Sequence, residues 1–313
     1  MKILVTGAAG FLGQRLIAAL LRDDPALAVV AADTMPCPLA GDRVDSRVGT
    51  ITDAGFVAGI VDADTAAVYH LAAVLSGQAE GEFDTGLAVN VDGTRTLLEA
   101  CRRLQAPARL VFSSTVAVYG GPLPPVVSEE TAIVPQSSYG AAKTIGEVLV
   151  REYSRRGYVD GVICRVPTVA VRPGRPNSAV SSFVSGIIRE PVAGVETVCP
   201  VPLDTTLWIC SPDAATGNLA HAGRIPSRGL GPDRAVNLPG LSVSAGQMLD
   251  SLERLAGPEA RARVACAVDD RIARIVCTWP GRFDVGRALA LGFTADRDVD
   301  AIVRQFLETR PAA

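Results

Sequence analysis

The first half of the chain alternates short apolar runs with longer amphipathic ones. Residues 2–6, KILVT, are a compact apolar run, and FLGQRLIAALLRDD (11–24) places Leu12, Leu16, Ala19 and Leu20 at helical spacing. ALAVVAAD (26–33) and AAVYHLAA (66–73) read as buried strands, and VDGTRTLLEACRRL (91–104) as an amphipathic helix with Leu97, Leu98 and Cys101 inward. RLVFSST (109–115) predicts a strand, YGAAKTIGEVLVREYSRR (139–156) a long helix and VDGVICRV (159–166) a further strand. Strands apolar on both faces and separated by helices predict a parallel sheet covered on two sides, the doubly wound α/β class. After about residue 167 Pro and Gly become frequent and the elements shorten. SPDAATGNLAHA (211–222) has a Ser cap followed by Pro at the first helical position, and LSVSAGQMLDSLERLAG (241–257) pairs a Ser cap with a Gly stop. FDVGRALALGF (283–293) and DRDVDAIVRQFLETR (296–310) predict closing helices. We therefore expect a Rossmann-type domain over 1–166 and a smaller mixed substrate lobe over 167–313, part of which returns to pack on the first domain.

Composition narrows the classes. The 313 residues carry a net charge of −3 with no basic stripe, which argues against a nucleic-acid partner. The apolar runs fall far short of the roughly 20 residues a bilayer needs, and the N-terminus lacks a signal-peptide pattern; a cytoplasmic enzyme is expected. The seven cysteines are scattered and form no C-x-x-C, so they read as reduced core residues. With only His70 and His221 present, no metal site and no His-dependent triad is expected. His70 itself reads as a satisfied histidine at a strand end.

Candidate chemistry begins at VTGAAGFLG, where Gly7, Gly10 and Gly13 follow a strand and open a helix. A tight turn needs conformational freedom, a pyrophosphate needs backbone free of Cβ atoms, and the helix N-terminus offers unpaired N–H groups. Asp33 ends the next strand, 20 residues after Gly13, where a carboxylate accepts from ribose hydroxyls and repels a 2′-phosphate; this favours NAD over NADP. SSYGAAK supplies Tyr139 and Lys143, one helical turn apart. An ammonium beside a phenol favours the phenolate and pulls its pKa toward neutrality. Ser113, Ser114 and Thr115 lie at the C-terminal end of a strand, the edge where open α/β sheets bind ligands, and Asn90 is expected at a helix start near the cofactor.

Together these motifs, with HLAA (70–73), NVDGT (90–94) and FSST (112–115), resemble the extended short-chain dehydrogenase/reductase family over nearly the whole chain. The resemblance implies Tyr139 as acid/base, Lys143 as its partner and ribose ligand, and Thr115, with Ser114 as alternate, orienting the reacting hydroxyl. It implies a cofactor path lined by Phe11, Leu12, Leu71, Ala72, Ala73, Ser113 and Val169, with Ile51 against the adenine. Thr50 stands where the family often has an acidic residue, a departure from its pattern.

RVPTVAVRPGRPN (165–177) has Thr168 where Asn is usual in sugar-nucleotide epimerases and VRPG in place of a YGP-like turn. With YGGPLPP (119–125), this stretch is similar to a branch of the family that oxidises a four-carbon aldonic acid, D-erythronate, at its C2 hydroxyl. Such a substrate calls for a cationic site plus hydroxyl partners. Ser76, Thr168, Arg172 and Asn177 are the candidates; a surface or inter-lobe salt bridge is the alternative for Arg172 and the favoured reading for Arg175, and Arg189 and Glu190 can pair with each other. An NAD-retaining nucleoside-diphosphate-sugar epimerase is the alternative function; a non-catalytic NAD sensor is disfavoured because both Tyr139 and Lys143 are kept. The resemblance also implies a homodimer through the helices after Asn90 and around Tyr139, where Leu97, Val148, Leu149 and Tyr153 are apolar beyond what one sheet face needs.

Overall fold

The computed structural model describes residues 2–174 and 180–309. The strands are β1 (Lys2–Thr6), β2 (Ala28–Asp33), β3 (Val44–Val48), β4 (Thr65–His70), β5 (Ala108–Thr115), β6 (Val159–Val166), β7 (Thr168–Val169), β8 (Thr197–Cys199), β9 (Thr206–Cys210), β10 (Ala235–Asn237), β11 (Leu241–Ser244) and β12 (Val264–Cys266). Seven of them form one sheet in the order β10-β6-β5-β4-β1-β2-β3. All its pairings are parallel. The order reverses between β1 and β4, which opens a crevice at their C-terminal ends: the Rossmann arrangement with its ligand-binding switch point.

Side chains along the strands alternate between two cores, as the two-residue strand period requires. Ile3, Val5, Val29, Ala31, Val111 and Val162 face one helical layer, formed by α1 (Phe11–Asp23) and a later helix, Pro212–Ala222. Leu4, Val30, Val68, Leu110, Phe112 and Ile163 face the other. That layer comprises α2 (Ala54–Ile60), α5 (Thr94–Cys101) and α6 (Ser138–Arg155), with α3 (Ser76–Gly81), α4 (Phe83–Leu87) and a π-helical turn (Ala88–Gly93) leading into α5. Gly146 lets α6 approach the sheet, since a Cβ there would lie 2.5 Å from the Phe112 ring. Leu97 is wholly buried in this core and Leu149 and Tyr153 pack against it, so Leu97 is not available to a partner subunit, contrary to expectation. Ile145 and Val148 of α6 are the exposed apolar positions of that helix.

The second half builds its own core from α7 (Ser182–Val192), β9, α9 (Ala245–Ala256) and α13 (Val299–Glu308), and contributes two small sheets, β11-β9-β7 and β12-β8. Ser211 caps α8 (Pro212–Ala222), and Ser244 and Gln247 form a capping box on α9, which stops at Gly257. Between them in sequence, β10 crosses back and adds to the main sheet beside β6, while α8 packs on α1. The remaining short helices are α10 (Pro258–Ala262), α11 (Asp270–Val276) and α12 (Gly286–Ala290); in FDVGRALALGF only the five residues of α12 are helical. Among the described residues no helix is long and apolar enough to cross a membrane.

Candidate active site

The glycine turn joins β1 to α1 in the switch-point crevice. Gly7 has φ +71°, and a Cβ on it would lie 2.7 Å from the Ala72 nitrogen. A Cβ on Gly13 would lie 2.2 Å from the Gly7 carbonyl, so both positions need glycine for close approach. Gly10 is the N-cap of α1, no side chain caps the helix, and its first turn holds no acid. The N–H groups of Phe11, Leu12 and Gly13 therefore face the crevice end with the positive pole of the helix behind them. Asp33 reaches over the turn from β2, where its Oδ2 accepts from the Ala9 N–H at 3.0 Å. An uncapped helix end for a pyrophosphate and a carboxylate beside it for a ribose diol fit an NAD molecule. Ile51 is buried, and a Cβ on Gly93 would touch it at 2.7 Å. Thr50 bonds to Thr52, and the nearby Asp53 carboxylate is engaged in capping α2 through Gly55 and Phe56.

The crevice's second wall is the segment after β4. The Leu71 N–H donates to the Thr6 carbonyl and the Ala72 N–H to the Thr6 hydroxyl. Val74 is gripped at both backbone groups by the Asn90 amide, at 2.8 and 3.0 Å. Asn90 sits inside the π-helical turn rather than at a helix start, and its buried side chain serves the Leu71–Val74 segment. Ser76, half-buried, begins α3 directly beyond this segment. His70 is buried between the Thr6 hydroxyl (2.7 Å) and the Thr94 hydroxyl (2.9 Å), the satisfied strand-end histidine expected.

β5 and α6 supply the titrating groups. Along β5, Ser113 and Thr115 are half-buried on one side, while Ser114 is buried on the other and donates to Glu147 at 2.6 Å. Thr115 is thus the hydroxyl on the open edge, and it accepts from the Ala117 N–H. Ser137 caps α6 and starts the helix so that Tyr139 and Lys143 share a face. The Lys143 ammonium donates to the Ser113 carbonyl at 2.8 Å and lies 4.8 Å from the Phe112 ring centre and 5.7 Å from that of Tyr139. Burial pulls the Lys143 pKa down to about 8, against the raising influence of Glu147. Burial also pushes the Tyr139 phenol up to about 12. The expected lowering of Tyr139 by Lys143 is therefore not present in the protein alone: desolvation outweighs an ammonium turned toward a carbonyl.

On the opposite rim, β7 pairs with β9 and Ala170 donates to the Cys210 carbonyl. Strand alternation then turns the Val169 N–H away from β9. Thr168 and Val169 are half-buried. The backbone of Arg172 is held by the Ser185 hydroxyl and the Arg189 guanidinium. Among the described residues no carboxylate pairs with the half-buried Arg172 side chain; burial and neighbouring Arg189 lower its pKa. Arg189 pairs with Glu190 at 2.6 Å, as expected. Arg175 and Asn177 lie outside the described residues.

A buried ionic cluster behind α6 was missed by the sequence reading. Glu147 accepts from Arg165 Nε and Nη2 at 2.9 and 2.7 Å, and from Arg151 at 3.0 Å. Arg165 also donates to the Tyr119 hydroxyl at 2.5 Å, and that hydroxyl reaches Asn237 of β10 at 2.9 Å. An arginine within an otherwise apolar strand, ICRV, was the available signal, since a wholly buried cation requires a partner.

Comparison with known proteins agrees with this architecture. A protein of Cupriavidus necator named D-erythronate dehydrogenase is 48% identical over 318 residues, covering 98% of each chain. One of the same name from Haemophilus influenzae is 39% identical over 312 residues, covering 98% of this chain and 99% of that one. A crystal structure of a nucleoside-diphosphate-sugar epimerase from Agrobacterium tumefaciens superposes with a TM-score of 0.93 at 37% identity, covering 99% of this chain and 94% of that one. Residues 3–219, which hold the glycine turn, Asp33, Tyr139 and Lys143, match the NAD dependent epimerase/dehydratase family, and the chain belongs to that family.

Proposed function

We propose that this protein oxidises D-erythronate at its C2 hydroxyl to the 2-oxo acid, with NAD as the electron acceptor. The observation that carries the reading is end-to-end similarity to two D-erythronate dehydrogenases in a chain whose Tyr139 and Lys143 share one face of α6 beside the Ser113–Thr115 edge. NAD, when bound, supplies the hydride acceptor and a positive charge. In our reading Phe11, Leu12 and Gly13 hold its pyrophosphate by their N–H groups, Asp33 its ribose, and Lys143 the second ribose. The Val169 N–H, turned away from β9, is free to bond the carboxamide. Thr115 orients the C2 hydroxyl and Tyr139 takes its proton, a contribution worth ~10²–10⁴-fold. Arg172 holds the carboxylate, with Ser76 and Thr168 on the polyol. A cytoplasmic homodimer joined across α5 and α6 belongs to the same reading.

The test is absorbance at 340 nm with free NAD and D-erythronate. NADH should accumulate in step with the 2-oxo acid. A flat trace for D-erythronate and other aldonates from protein that still binds NAD would sink the dehydrogenase reading. Interconversion of a sugar nucleotide without net NADH would replace it with the epimerase.

A further inference from the structure

His70 lies at the switch point, yet the chemistry above leaves it no role. We propose that His70, held neutral with its proton on Nε2, is a positioning residue that fixes the Leu71–Val74 segment against the glycine turn and thereby sets NAD affinity.

The assignment follows from proton directions. The Thr94 hydroxyl lies 2.7 Å from the Asn90 carbonyl, which can only accept, so its single proton points there. His70 Nε2, 2.9 Å from the same hydroxyl oxygen, must then donate to it. A neutral imidazole leaves Nδ1 as an acceptor, filled by the Thr6 hydroxyl at 2.7 Å. The Thr6 oxygen in turn accepts from the Ala72 N–H at 3.3 Å. The circuit runs from Ala72 through Thr6, His70 and Thr94 to Asn90, whose side chain closes on Val74. One imidazole thus links Thr6, which holds Ala72, to Thr94, which bonds the backbone of Asn90, the residue that holds Val74. A second proton on the ring would leave the Thr6 hydroxyl proton without this acceptor. It would also bring a second cation toward Lys143 on α6, the charged group that acts on His70 in this buried position. Burial and that lysine together hold the imidazole pKa down to about 3. The segment matters because Ala72 occupies the space a Gly7 Cβ would need, so a small displacement of Ala72 moves a wall of the crevice.

The first test uses the wild-type chain, whose two histidines give a simple ¹⁵N imidazole spectrum; His70→Asn assigns the signals. A neutral ring protonated on Nε2, unchanged from pH 5 to 9, is expected. A proton on Nδ1, or titration within that range, overturns the proposal. The second test measures NAD dissociation constants without any aldonate, so its outcome is independent of the substrate reading. His70→Asn and Thr94→Val should each weaken NAD by about tenfold, and the double variant no further than the weaker-binding single. Additive losses, or unchanged NAD affinity in folded variants, overturn it.

Discussion

The two ends of α6 treat charge differently. Tyr139, Lys143, Glu147 and Arg151 follow one another at four-residue spacing and so share one face. In the second half of that face Glu147 is bonded by Ser114, Arg165 and Arg151, and Arg165 goes on to Tyr119. In the first half Lys143 is as deeply buried, yet among the described residues it bonds only the Ser113 carbonyl and lies against two aromatic rings. The paired charges fix the helix on the sheet; the lone cation has donors left for a ligand. A buried cation with no carboxylate bonded to it is costly to the fold, even with Glu147 one turn away, and such a group is a candidate for chemistry.

The sharpest way to break this comparison is Tyr139→Phe. It should lower kcat by ~10²–10⁴-fold, with NAD affinity within about threefold and thermal stability unchanged. Residual turnover above a tenth of wild type would move the base elsewhere. The raised phenol pKa gives a sign as well: the base form grows with pH, so kcat/KM for oxidation should rise between pH 6 and 9.

Removing one cation from each half comes next. Lys143→Met should abolish turnover yet raise Tm, because the pKa near 8 reports a charge the interior disfavours. The sign with pH is fixed: between about 8 and the ordinary 10.5 the unfolded chain keeps a proton that the folded chain has released. Wild-type stability relative to Lys143→Met should therefore rise through that window. Arg165→Met leaves Glu147 without its bidentate partner, a loss of ~3–5 kcal/mol, and should lower Tm by on the order of 10 °C. Melting curves that move the same way for both would erase the distinction between the halves. The smallest effect is expected at the substrate rim: Arg172→Leu should raise KM for D-erythronate by about tenfold or more, with NAD affinity and Tm unchanged. An unaltered KM would show that the carboxylate is held elsewhere.

The strands buried on both faces were legible because they form apolar runs, and the Ser-capped α8 and α9 because their end signals are local. β3 was not: VDSRV is a polar edge strand with one wholly buried residue, Val44. Residues 76–89 were opaque because the segment is glycine-rich, and the π-helical turn that follows shifts the periodicity that would betray a helix. That Tyr139 and Lys143 share a face of α6 could be read from their spacing, but singling them out as a candidate pair needed the Ser113–Thr115 strand end and Asn90 as well. The partners of Glu147 and His70 could not be read, because Ser114, Arg165, Thr6 and Thr94 come from other elements and meet only after the sheet is assembled. For the same reason the rise in the Tyr139 pKa was invisible: spacing shows the neighbouring ammonium but not the burial that pushes the phenol up.

The return of β10 to the main sheet has a consequence for biosynthesis. Until residues 235–237 have left the ribosome, β6 is an open edge strand with unpaired N–H and C=O groups, and Tyr119 lacks Asn237. A nascent chain that already contains every motif of the glycine turn and of α6 is thus still an incomplete, association-prone sheet. Translation must run some 70 residues past β6 before that edge is closed.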